Sequence, residues 1–339
     1  MRNILIGGAW PYANYMLHIG HLVALLPGDI IARYYRLKHD NVVFVSGSDC
    51  HGTPITERAK KEGKKPSDIA LYYHNENIKT LEKAGFSYDM YTLTESNYHK
   101  EKVKEYFKKM IDNGYIYEKE EKQDYCSKCE KFLSDREIVG ICKNCGGTAK
   151  GDQCDNCFAS LEPSDILDKK CSTCGSSPIL KNNKHLYLAL SRFQNEIQNF
   201  IDDRAPIWRK NALNESRKFL SMGLIDRATT RQLDWGIEVP VDGYEDKRIY
   251  VWIEAVLGYI TTAERVLEER KQDFYSFITD PNLISYYSIG KDNIPFHTII
   301  YPAILKSIDT KFQLPTYIIS CEFMNMQDEK MSKSKGNLI

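Results

Sequence analysis

The sequence predicts an α/β protein whose doubly wound parallel sheet is split by a metal-binding insertion. Short apolar strands alternate with helix-length segments over residues 1–117, and the same alternation returns over residues 227–323. Between these stretches, eight cysteines form four C-x-x-C pairs. Because strand–helix–strand units join parallel strands through right-handed crossovers, the two flanking stretches are expected to complete one sheet.

The composition narrows the class of protein. A chain of 339 residues is long enough for two or three packed units, since domains commonly hold about 100–200 residues. Lysine plus arginine and aspartate plus glutamate both number 46, so the bulk charge gives no support for nucleic-acid binding, although local patches can still bind phosphates. The chain has no apolar run near the roughly 20 residues that cross a bilayer, and its start lacks a signal peptide. We therefore expect a cytoplasmic protein with no membrane partner and no DNA partner.

The elements of the first half follow from hydrophobic periodicity and helix-capping residues. They are predicted as strands at 3–10 and 41–49 with a helix at 18–38 between them, then helices at 53–63, 66–84 and 95–113. Pro27 and Gly28 lie inside the first helix and predict a kink or break there. Thr53 and Thr94 are expected to cap the second and fourth helices, and Gly63 is expected to end the second.

The alternation stops over residues 118–226, which we interpret as a connective insertion with zinc knuckles at 126–174 and a mixed helical stretch at 189–222. The second half, residues 227–323, is then predicted to contain strands at 248–253, 283–290 and 316–323, with helices at 254–271 and 294–308. Residues 324–339 begin a further region that carries a lysine-rich segment.

The paired cysteines predict structural zinc, because four C-x-x-C pairs within about fifty residues supply enough thiolates for two tetrahedral Cys₄ sites. The residues are Cys126, Cys129, Cys142, Cys145, Cys154, Cys157, Cys171 and Cys174. Nested pairing would put the middle four on one ion and the outer four on another. Sequential pairing of the first pair with the second, and the third with the fourth, is the alternative. Cys50 and Cys321 stand alone and are expected to be buried apolar residues.

The segment H-I-G-H at residues 18–21 lies where the first helix is predicted to begin. A helix N-terminus binds anions through free backbone N–H groups, and Gly20 would let a ligand approach the backbone. His18 and His21 share a helix face and could both donate to one phosphate. Taken alone, the two histidines could equally be a metal pair or solvated residues.

The segment K-M-S-K-S at residues 330–334 combines lysines with hydroxyl side chains, a combination suited to neutralising a polyphosphate. Alone it would be an ordinary solvated tail. Together, H-I-G-H after the first strand and K-M-S-K-S after the last resemble the paired signature of class I aminoacyl-tRNA synthetases.

Four further segments are similar to motifs of the methionyl-tRNA synthetases: A-W-P-Y-A-N at 9–14, G-S-D-C-H-G-T-P at 47–54, V-W-I-E-A-V-L-G-Y at 251–259 and G-K-D-N-I-P-F-H at 290–297. The resemblance runs from Ala9 to Ser334 and includes the insertion. It implies a Rossmann-like class I synthetase fold split by a zinc-binding connective insertion, followed by the start of a stem-contact region.

The resemblance also implies roles for individual residues. His18, His21, Lys330 and Lys333 would be catalytic; ATP would be bound by these and by Gly20, Gly290, Asp292, Asn293 and Ser332. Asp49 would hold the methionine ammonium, and the rest of the amino-acid site would be Ala9, Trp10, Tyr12, Arg231, Trp252, Ala255, Val256, Tyr259, Phe296 and His297. Without the resemblance, any one of these aromatics is ordinary core, and Arg231 could be a surface ion pair.

Two positions depart from the family pattern. Trp10 stands where many relatives carry leucine, and Val256 stands where proline is frequent. Both residues change the shape of the pocket that the resemblance implies, and methionine stays the favoured substrate.

The implied activity is ligation of L-methionine to tRNA(Met) with Mg²⁺-bound ATP, by way of methionyl-adenylate. The alternatives are a class I synthetase for another apolar amino acid, and a non-catalytic zinc-ribbon protein that binds RNA. The family continues into a helical anticodon-binding domain beyond the second motif. Since the sequence ends at Ile339, we expect adenylate formation but poor charging of tRNA.

Overall fold

The structure is a computed structural model that describes residues 1–133, 137–150, 154, 161, 165–326 and 329–330. The chain divides into two compact units. The first comprises Met1–Tyr117 and Tyr187–Ile339, and the second comprises Glu118–Leu186. The described part of the chain contains no helix with the length and apolar character needed to span a membrane.

The elements are numbered in chain order. The strands are β1 (Asn3–Gly8), β2 (Asn41–Ser48), β3 (Met90–Leu93), β4 (Ile116–Cys126), β5 (Lys131–Phe132), β6 (Ile138–Cys142), β7 (Thr148–Lys150), β8 (Ile166–Cys171), β9 (Ile179–Leu188), β10 (Arg227–Ala228), β11 (Thr230–Arg231), β12 (Arg248–Ile249), β13 (Ile284–Gly290), β14 (Tyr317–Cys321), β15 (Asn325–Met326) and β16 (Glu329–Lys330). The helices are α1 (Ile19–Leu37), α2 (Thr53–Glu62), α3 (Pro66–Lys83), α4 (Asn97–Asp112), α5 (Gln194–Arg204), α6 (Lys210–Ser221), α7 (Val251–Glu269), α8 (Phe274–Thr279) and α9 (Tyr301–Ile308).

A five-stranded parallel sheet forms the centre of the first unit, in the order β14-β13-β1-β2-β3. The central strand is β1, in which Ile4 pairs with Val42 on one side and with Ile284 on the other. The two stretches on either side of the insertion therefore complete one sheet, and the predicted fold class is confirmed.

Helices cover both faces of this sheet. Ile4 and Ile6 of β1 form one buried cluster with Ala32 and Tyr35 of α1. The next side-chain position, Gly7, faces the opposite side, where a Cβ atom would lie 2.6 Å from the ring of Tyr259 on α7. The buried strands of parallel sheets are apolar on both faces for this reason, and the apolar run of β2 fits that pattern.

Helix α1 is continuous from Ile19 to Leu37, although Pro27 lies inside it. The break predicted at Pro27 is therefore wrong. Proline has no N–H to offer the carbonyl four residues before it. That carbonyl belongs to Val23 and accepts a hydrogen bond from the thiol of Cys321 at 3.7 Å, while Ser288 donates to the neighbouring Ala24 carbonyl at 2.7 Å.

Two predicted helix caps differ from the structure. The N-cap of α2 is Gly52, and Thr53 is already helical. Helix α4 begins after Ser96, whose hydroxyl accepts from the backbone N–H of His99 at 3.3 Å. Thr94 instead accepts from the backbone N–H of Cys50 at 2.9 Å, because it lies beside the end of β2. Gly63 ends α2 in the left-handed conformation, as predicted.

The strand predicted at 248–253 is wrong beyond β12, because α7 begins at Val251. Nearly every residue of the first three turns of α7 is buried, and a short apolar run does not distinguish a fully buried helix from a strand. Trp252 is therefore in the first turn of a helix. The helix predicted at 294–308 is split into a π-helical turn, Phe296–Ile300, and α9.

Residues 187–226, which the sequence analysis assigned to the insertion, group with the first unit. Hydrogen bonds to β14 and to the residue before it join this segment to the first unit. The indole N–H of Trp208 donates to the carbonyl of Thr316 at 2.9 Å, and Asn211 on α6 donates to the carbonyl of Ser320 at 3.3 Å. The last residues of β9, Tyr187 and Leu188, pair with β10 in the same unit.

In the second unit, β4 lies between β9 and β5, and β6 lies between β7 and β8 with antiparallel pairing. Its buried cluster contains Leu133, Ile138, Leu161 and Ile166 together with several of the paired cysteines. A core this poor in large apolar side chains indicates that something other than hydrophobic burial supports the unit.

Candidate active site and cysteine clusters

The predicted active-site residues of the first unit lie after the carboxyl ends of β1, β2 and β13. In open α/β sheets this edge binds ligands where the strand order reverses, here between β1 and β13. A backbone bridge joins the loops after β1 and β2. Asp49 donates from its N–H to the carbonyl of Pro11 at 2.9 Å, and its carbonyl accepts from Ala13 at 2.7 Å.

The histidine pair caps helix α1. The ring Nδ1 of His18 accepts from the backbone N–H of Gly20, and the ring Nδ1 of His21 accepts from the backbone N–H of His18, both at 3.2 Å. A Cβ atom on Gly20 would lie 2.9 Å from the His18 ring, so glycine makes this cap possible. Since both Nδ1 atoms accept, each neutral ring carries its proton on Nε2, which is a hydrogen-bond donor.

The end of β13 provides an open turn. Nothing lies within 4 Å of the position that a Cβ on Gly290 would take, and the 3₁₀ turn Lys291–Asn293 follows. Asp292 is exposed on this turn. The carbonyl of Asn293 accepts from Nδ1 of His297 at 2.8 Å, so the predicted adenosine turn and the predicted amino-acid pocket are joined by a hydrogen bond.

His297 is held as a neutral ring. Because Nδ1 donates to Asn293, Nε2 must accept, and the hydroxyl of Tyr259 donates to it at 2.8 Å. Burial lowers the pKa of His297 to about 4. The pair therefore adds no charge to the pocket at neutral pH, which suits an uncharged side chain.

Aromatic rings form one wall of the pocket. Trp252 stacks on Phe296 with ring centroids 3.9 Å apart, and Tyr12 meets Trp252 edge-on at 6.3 Å. Tyr12 also forms the backbone bridge to Asp49, so a buried carboxylate and an aromatic wall lie side by side. This arrangement fits an ammonium group next to a polarizable apolar side chain.

Trp10 fills a slot between β2 and α7. Cβ atoms on Gly47 or Gly258 would lie 2.2 and 2.6 Å from its ring, so both residues must be glycine to admit an indole. Its ring stacks on His99 at 6.1 Å and meets Tyr259 edge-on at 6.4 Å. The indole of Trp10 is thus accommodated by two glycines from separate elements.

Two charged residues near Asp49, His51 and Glu254, have no role predicted from the motifs that contain them. His51 lies between Glu254 and Glu95, with its ring nitrogens 2.7 Å from a carboxylate oxygen of each. Its backbone N–H donates to Asp49 Oδ1 at 3.1 Å. The signal that could have revealed them is a glutamate in the buried helix V-W-I-E-A, since fully buried charges are rare unless paired.

The charges in this cluster shift each other's pKa. Burial raises the pKa of Asp49 well above its ordinary value, and the Glu254 carboxylate adds to that rise. Burial lowers the pKa of His51, but Glu254 and Glu95 outweigh it and raise the value to about 10. His51 is therefore an imidazolium that donates to both carboxylates.

Other predicted pocket residues lie on the same elements. Ala255 and Val256 are buried in α7, and Ala9 follows β1, where its N–H donates to the carbonyl of Ser288 at 3.0 Å. Arg231 on β11 lies 4.1 Å from the ring of Tyr250 and donates to the carbonyls of Ala228 and Thr230. These contacts hold the guanidinium group beside Tyr250, the residue before α7 begins.

The K-M-S-K-S residues fall largely outside the description. Lys330 ends β16, which pairs with β15, and nothing is described of its side chain. Ser332 and Lys333 lie outside the described residues. Their predicted roles in phosphate binding stay predictions.

The second unit contains two groups of cysteine sulfur atoms. In one, the sulfurs of Cys126, Cys129, Cys171 and Cys174 all lie within 4.8 Å of one another. The two sulfur atoms lie 3.3 Å apart in Cys126–Cys174 and 3.9 Å apart in Cys129–Cys171. Four thiolates at tetrahedral angles and about 2.3 Å from one zinc ion would lie about 3.8 Å apart. The donor set therefore fits zinc.

The other group contains Cys142, Cys145 and Cys154, also within 4.8 Å of one another. Cys157, the fourth predicted ligand, lies outside the described residues. The cysteines of the described segments thus fall into the groups of the nested pairing and not of the sequential one.

Three of the knuckles share a left-handed residue after the second cysteine. Gly146 and Gly175 take φ values of 71° and 73°, and each donates its N–H to the carbonyl of the first cysteine. Glu130 takes the same place with φ 53°, a conformation that costs a residue with a side chain about 1–2 kcal/mol.

A doubly wound parallel sheet, a histidine-capped helix after its first strand and an acidic aromatic pocket at its carboxyl edge define a nucleotide-binding α/β protein. The family model described as tRNA synthetases class I (M) matches residues 4–339. The chain belongs to this family of class I tRNA synthetases.

Similar proteins agree with this assignment. The chain is 51% identical over 334 residues to methionine–tRNA ligase 1 of Alkaliphilus oremlandii, a match that covers 98% of the chain and 62% of that protein. It is 50% identical to methionine–tRNA ligase of Streptococcus pneumoniae, covering 98% of the chain and 61% of the relative. A structure of Mycobacterium tuberculosis methionyl-tRNA synthetase with methionyl-adenylate matches with a TM-score of 0.74 and 25% identity, over 100% of the chain and 60% of that protein. The chain thus spans about three fifths of the length of the relatives that it matches.

Proposed function

We propose that this chain is the activating part of a methionine–tRNA ligase. It binds L-methionine and ATP and forms methionyl-adenylate and pyrophosphate. The methionyl group then passes to the 3′-terminal adenosine of tRNA(Met). The observation that carries the proposal is the juxtaposition of buried Asp49 with the aromatic wall of Tyr12, Trp252 and Phe296.

The chemistry of the amino acid fits this pocket. The carboxylate of Asp49 pairs with the α-ammonium group, and the aromatic rings contact the thioether. His297 and Tyr259 pair with each other and add no charge beside the aromatic rings, so a cationic or anionic side chain gains no partner at that end of the pocket. Valine, isoleucine and leucine are branched and lack the sulfur, so they fill the same slot less well.

Activation is an in-line displacement on ATP. An oxygen of the methionine carboxylate forms a bond to the α-phosphorus, and the bond from that phosphorus to the bridging oxygen breaks, which releases pyrophosphate. ATP arrives as its Mg²⁺ complex. His18 and His21 donate from Nε2 to the transferring phosphate, and the backbone next to Gly290 faces the adenosine.

Transfer follows without a covalent enzyme intermediate. The 2′-hydroxyl of the terminal adenosine attacks the carbonyl carbon of the adenylate, and AMP leaves. Catalysis in both steps comes from positioning and from stabilising charge on phosphate oxygens. Lys330 and Lys333 hold the β- and γ-phosphates during the first step.

The cysteine groups hold structural zinc in this proposal, one ion with Cys126, Cys129, Cys171 and Cys174, and a second with Cys142, Cys145, Cys154 and Cys157. The grouping of the sulfur atoms supports it. Zinc would supply folding free energy that the small apolar core cannot. The activity belongs in the cytoplasm, where thiols stay reduced and can act as ligands.

ATP–pyrophosphate exchange tests the function directly. The 339-residue chain is assayed with methionine, valine, isoleucine and leucine, and exchange is expected with methionine at the highest kcat/KM. Exchange with none of the four, or a higher kcat/KM for a branched amino acid, contradicts the proposal.

A matched pair of variants tests the role of Asp49. Asp40 precedes the same strand, β2, at its opposite end and pairs with Arg2 at 2.6 Å. Asp49→Asn should lower kcat/KM for methionine by at least ~30-fold, the loss typical of an unpaired buried charge. Asp40→Asn should leave it unchanged. Equal effects in the two variants would remove Asp49 from the site.

A further inference from the structure

Next to Asp49, hydrogen bonds link the charged side chains of Glu254, His51, Glu95 and Lys100. His51 Nδ1 donates to Glu254 and its Nε2 donates to Glu95, each at 2.7 Å. Lys100 on α4 donates to the other oxygen of Glu95 at 2.8 Å. His51 and Glu254 are 1% and 0% exposed, so water screens neither group.

Packing and hydrogen bonds fix the position of the His51 ring. Its ring meets Trp235 edge-on at 5.4 Å, and the indole N–H of Trp235 donates to the carbonyl of Cys50 at 2.7 Å. Cys50 in turn is held by Thr94, which accepts from its N–H at 2.9 Å. The imidazolium therefore lies in a rigid frame at the end of β2, two residues after Asp49.

The charges within this described cluster do not balance. Asp49, Glu254 and Glu95 are carboxylates, whereas His51 and Lys100 are the cations paired with them. The other ionisable groups nearby add no cation, because burial and the charge of His51 hold the pKa of His99 at about 3, and burial holds Cys50 as a thiol. With all three carboxylates ionised, one negative charge is left over, and a proton can balance it because burial raises the pKa of both Asp49 and Glu254. An amino-acid ammonium would take the place of that proton.

Glu254 explains why the imidazolium matters. One of its oxygens accepts from His51, and the other has no hydrogen-bond partner among the described residues. Without His51, the buried charge of Glu254 would raise the pKa of Asp49 further, because like charges disfavour each other's ionisation. Asp49 would then carry a proton where the ligand needs a carboxylate.

We propose that His51 is a positioning residue for amino-acid binding, which neutralises Glu254 and orients the carboxylate of Asp49 toward the ligand's ammonium group. The inference rests on the proposed function, since it assumes that the ammonium binds at Asp49. His51 touches no reacting atom. Its effect is therefore on amino-acid affinity, and neither the turnover number nor the affinity for ATP depends on it.

The test is amino-acid affinity in the His51→Gln variant. Glutamine keeps a donor at this position and removes the charge. Calorimetric Kd values for L-methionine and for L-methioninol, which keeps the ammonium and lacks the carboxylate, are both expected to rise about 10-fold, because a higher pKa of Asp49 leaves less of this carboxyl group ionised. The KM for ATP and kcat of pyrophosphate exchange should change by less than about 3-fold.

The pH profile distinguishes an electrostatic role from a structural one. Binding needs ionised Asp49, and the pKa of Asp49 is higher in the variant than in the wild type. The ratio of the two methionine Kd values should therefore be largest at pH 6 and fall as the pH rises to 8.5. A purely structural defect predicts a ratio that does not change with pH.

The double variant His51→Gln/Glu254→Gln removes one charge of each sign. It is expected to bring both Kd values back to within about 3-fold of the wild type. The control is His74→Gln, which removes a buried histidine that pairs with the hydroxyl of Ser48 at 3.0 Å and contacts no carboxylate in the cluster. It should lower thermal stability and leave methionine affinity unchanged.

The outcomes separate the two proposals. A wild-type chain that neither binds nor activates methionine overturns the proposed function, and this inference with it. An active wild type whose His51→Gln variant binds methionine normally overturns the role of His51 alone. The same holds if the double variant binds no better than the single one.

Discussion

The thiol of Cys321 donates a hydrogen bond to the carbonyl oxygen of Val23, with 3.7 Å between sulfur and oxygen. This carbonyl lies four residues before Pro27, whose ring nitrogen carries no hydrogen for it. The last strand of the sheet thus replaces a hydrogen bond that helix α1 lacks, at the helix whose first turn holds the histidine pair.

We predict that Cys321→Ala lowers the free energy of unfolding by about 1 kcal/mol, because it removes the donor of a hydrogen bond to the Val23 carbonyl. In a Pro27→Ala background the helix supplies its own N–H, so the same change should cost almost nothing. Denaturant unfolding of the four proteins in this cycle measures the coupling. Additive effects would mean that the thiol does not replace the helical bond.

Trp10 and Gly258 are predicted to depend on each other. Gly258→Ala places a methyl group 2.6 Å from the indole and should displace it, at a cost of about 1–3 kcal/mol. We expect a methionine KM raised about 10-fold and an unchanged KM for ATP in pyrophosphate exchange.

The compensating change is Trp10→Leu, which replaces the indole by a smaller side chain and leaves room for the methyl group. The double variant should bind methionine better than Gly258→Ala alone. If it binds methionine no better, the indole is not what the methyl group displaces.

Nested zinc pairing can be tested by counting metal. Cys126→Ser/Cys171→Ser changes two ligands of one nested site and should remove one zinc ion per chain from a protein that holds two. Cys126→Ser/Cys142→Ser changes one ligand in each site and should remove both. Sequential pairing predicts the reverse result for the two double variants. Elemental analysis after gel filtration gives the count.

Glu130→Gly should stabilise the second unit. Glycine adopts the left-handed conformation without the cost that Glu130 bears, so the gain is expected to be about 1 kcal/mol. The measurement is the temperature of zinc release in the presence of a chelator. Gly175→Ala, the matched change at an equivalent knuckle position, should lower that temperature.

Acid is predicted to destabilise the first unit through its neutral buried histidines. Burial lowers the pKa of His74 to about 4, below the value of about 6.5 in an unfolded chain. The unfolded state therefore binds a proton first, and stability is lost as the pH falls from about 6.5 toward 4. His297 acts in the same direction.

The variant His74→Gln should reduce the number of protons taken up on unfolding at pH 5 by up to about one. This number comes from the slope of unfolding free energy against pH. An unchanged slope would show that His74 is already protonated in the folded protein.

Local patterns predicted the sheet, because apolar strands, capping residues and glycine stops all act over a few positions. These patterns did not predict local structure that depends on contacts with residues far away in the sequence. Helix α1 continues through Pro27, and the carbonyls of Val23 and Ala24 accept hydrogen bonds from Cys321 and Ser288, which lie 298 and 264 residues later. Residues 250–253 look like a strand because burial on all sides removes the helical period, and only packing on the sheet makes them a helix.

The candidate site was likewise predicted only in part from local sequence motifs. Motifs located Asp49, Tyr12 and Trp252, but His51 and Glu254 were missed although both lie inside quoted motifs. Their pairing joins the end of β2 to α7, across about 200 positions of sequence. The left-handed Glu130 was also unpredictable, because its conformation follows from the knuckle and not from its own preference.

The central place of β1 imposes an order on biosynthesis. Ile4 is synthesised about 280 residues before its partner Ile284. At a synthesis rate of about 5–20 residues per second, one edge of the nascent strand waits roughly 15–60 s for β13. During that interval β1 can pair only with β2, and its open edge is a site where a chaperone or a neighbouring nascent chain could bind.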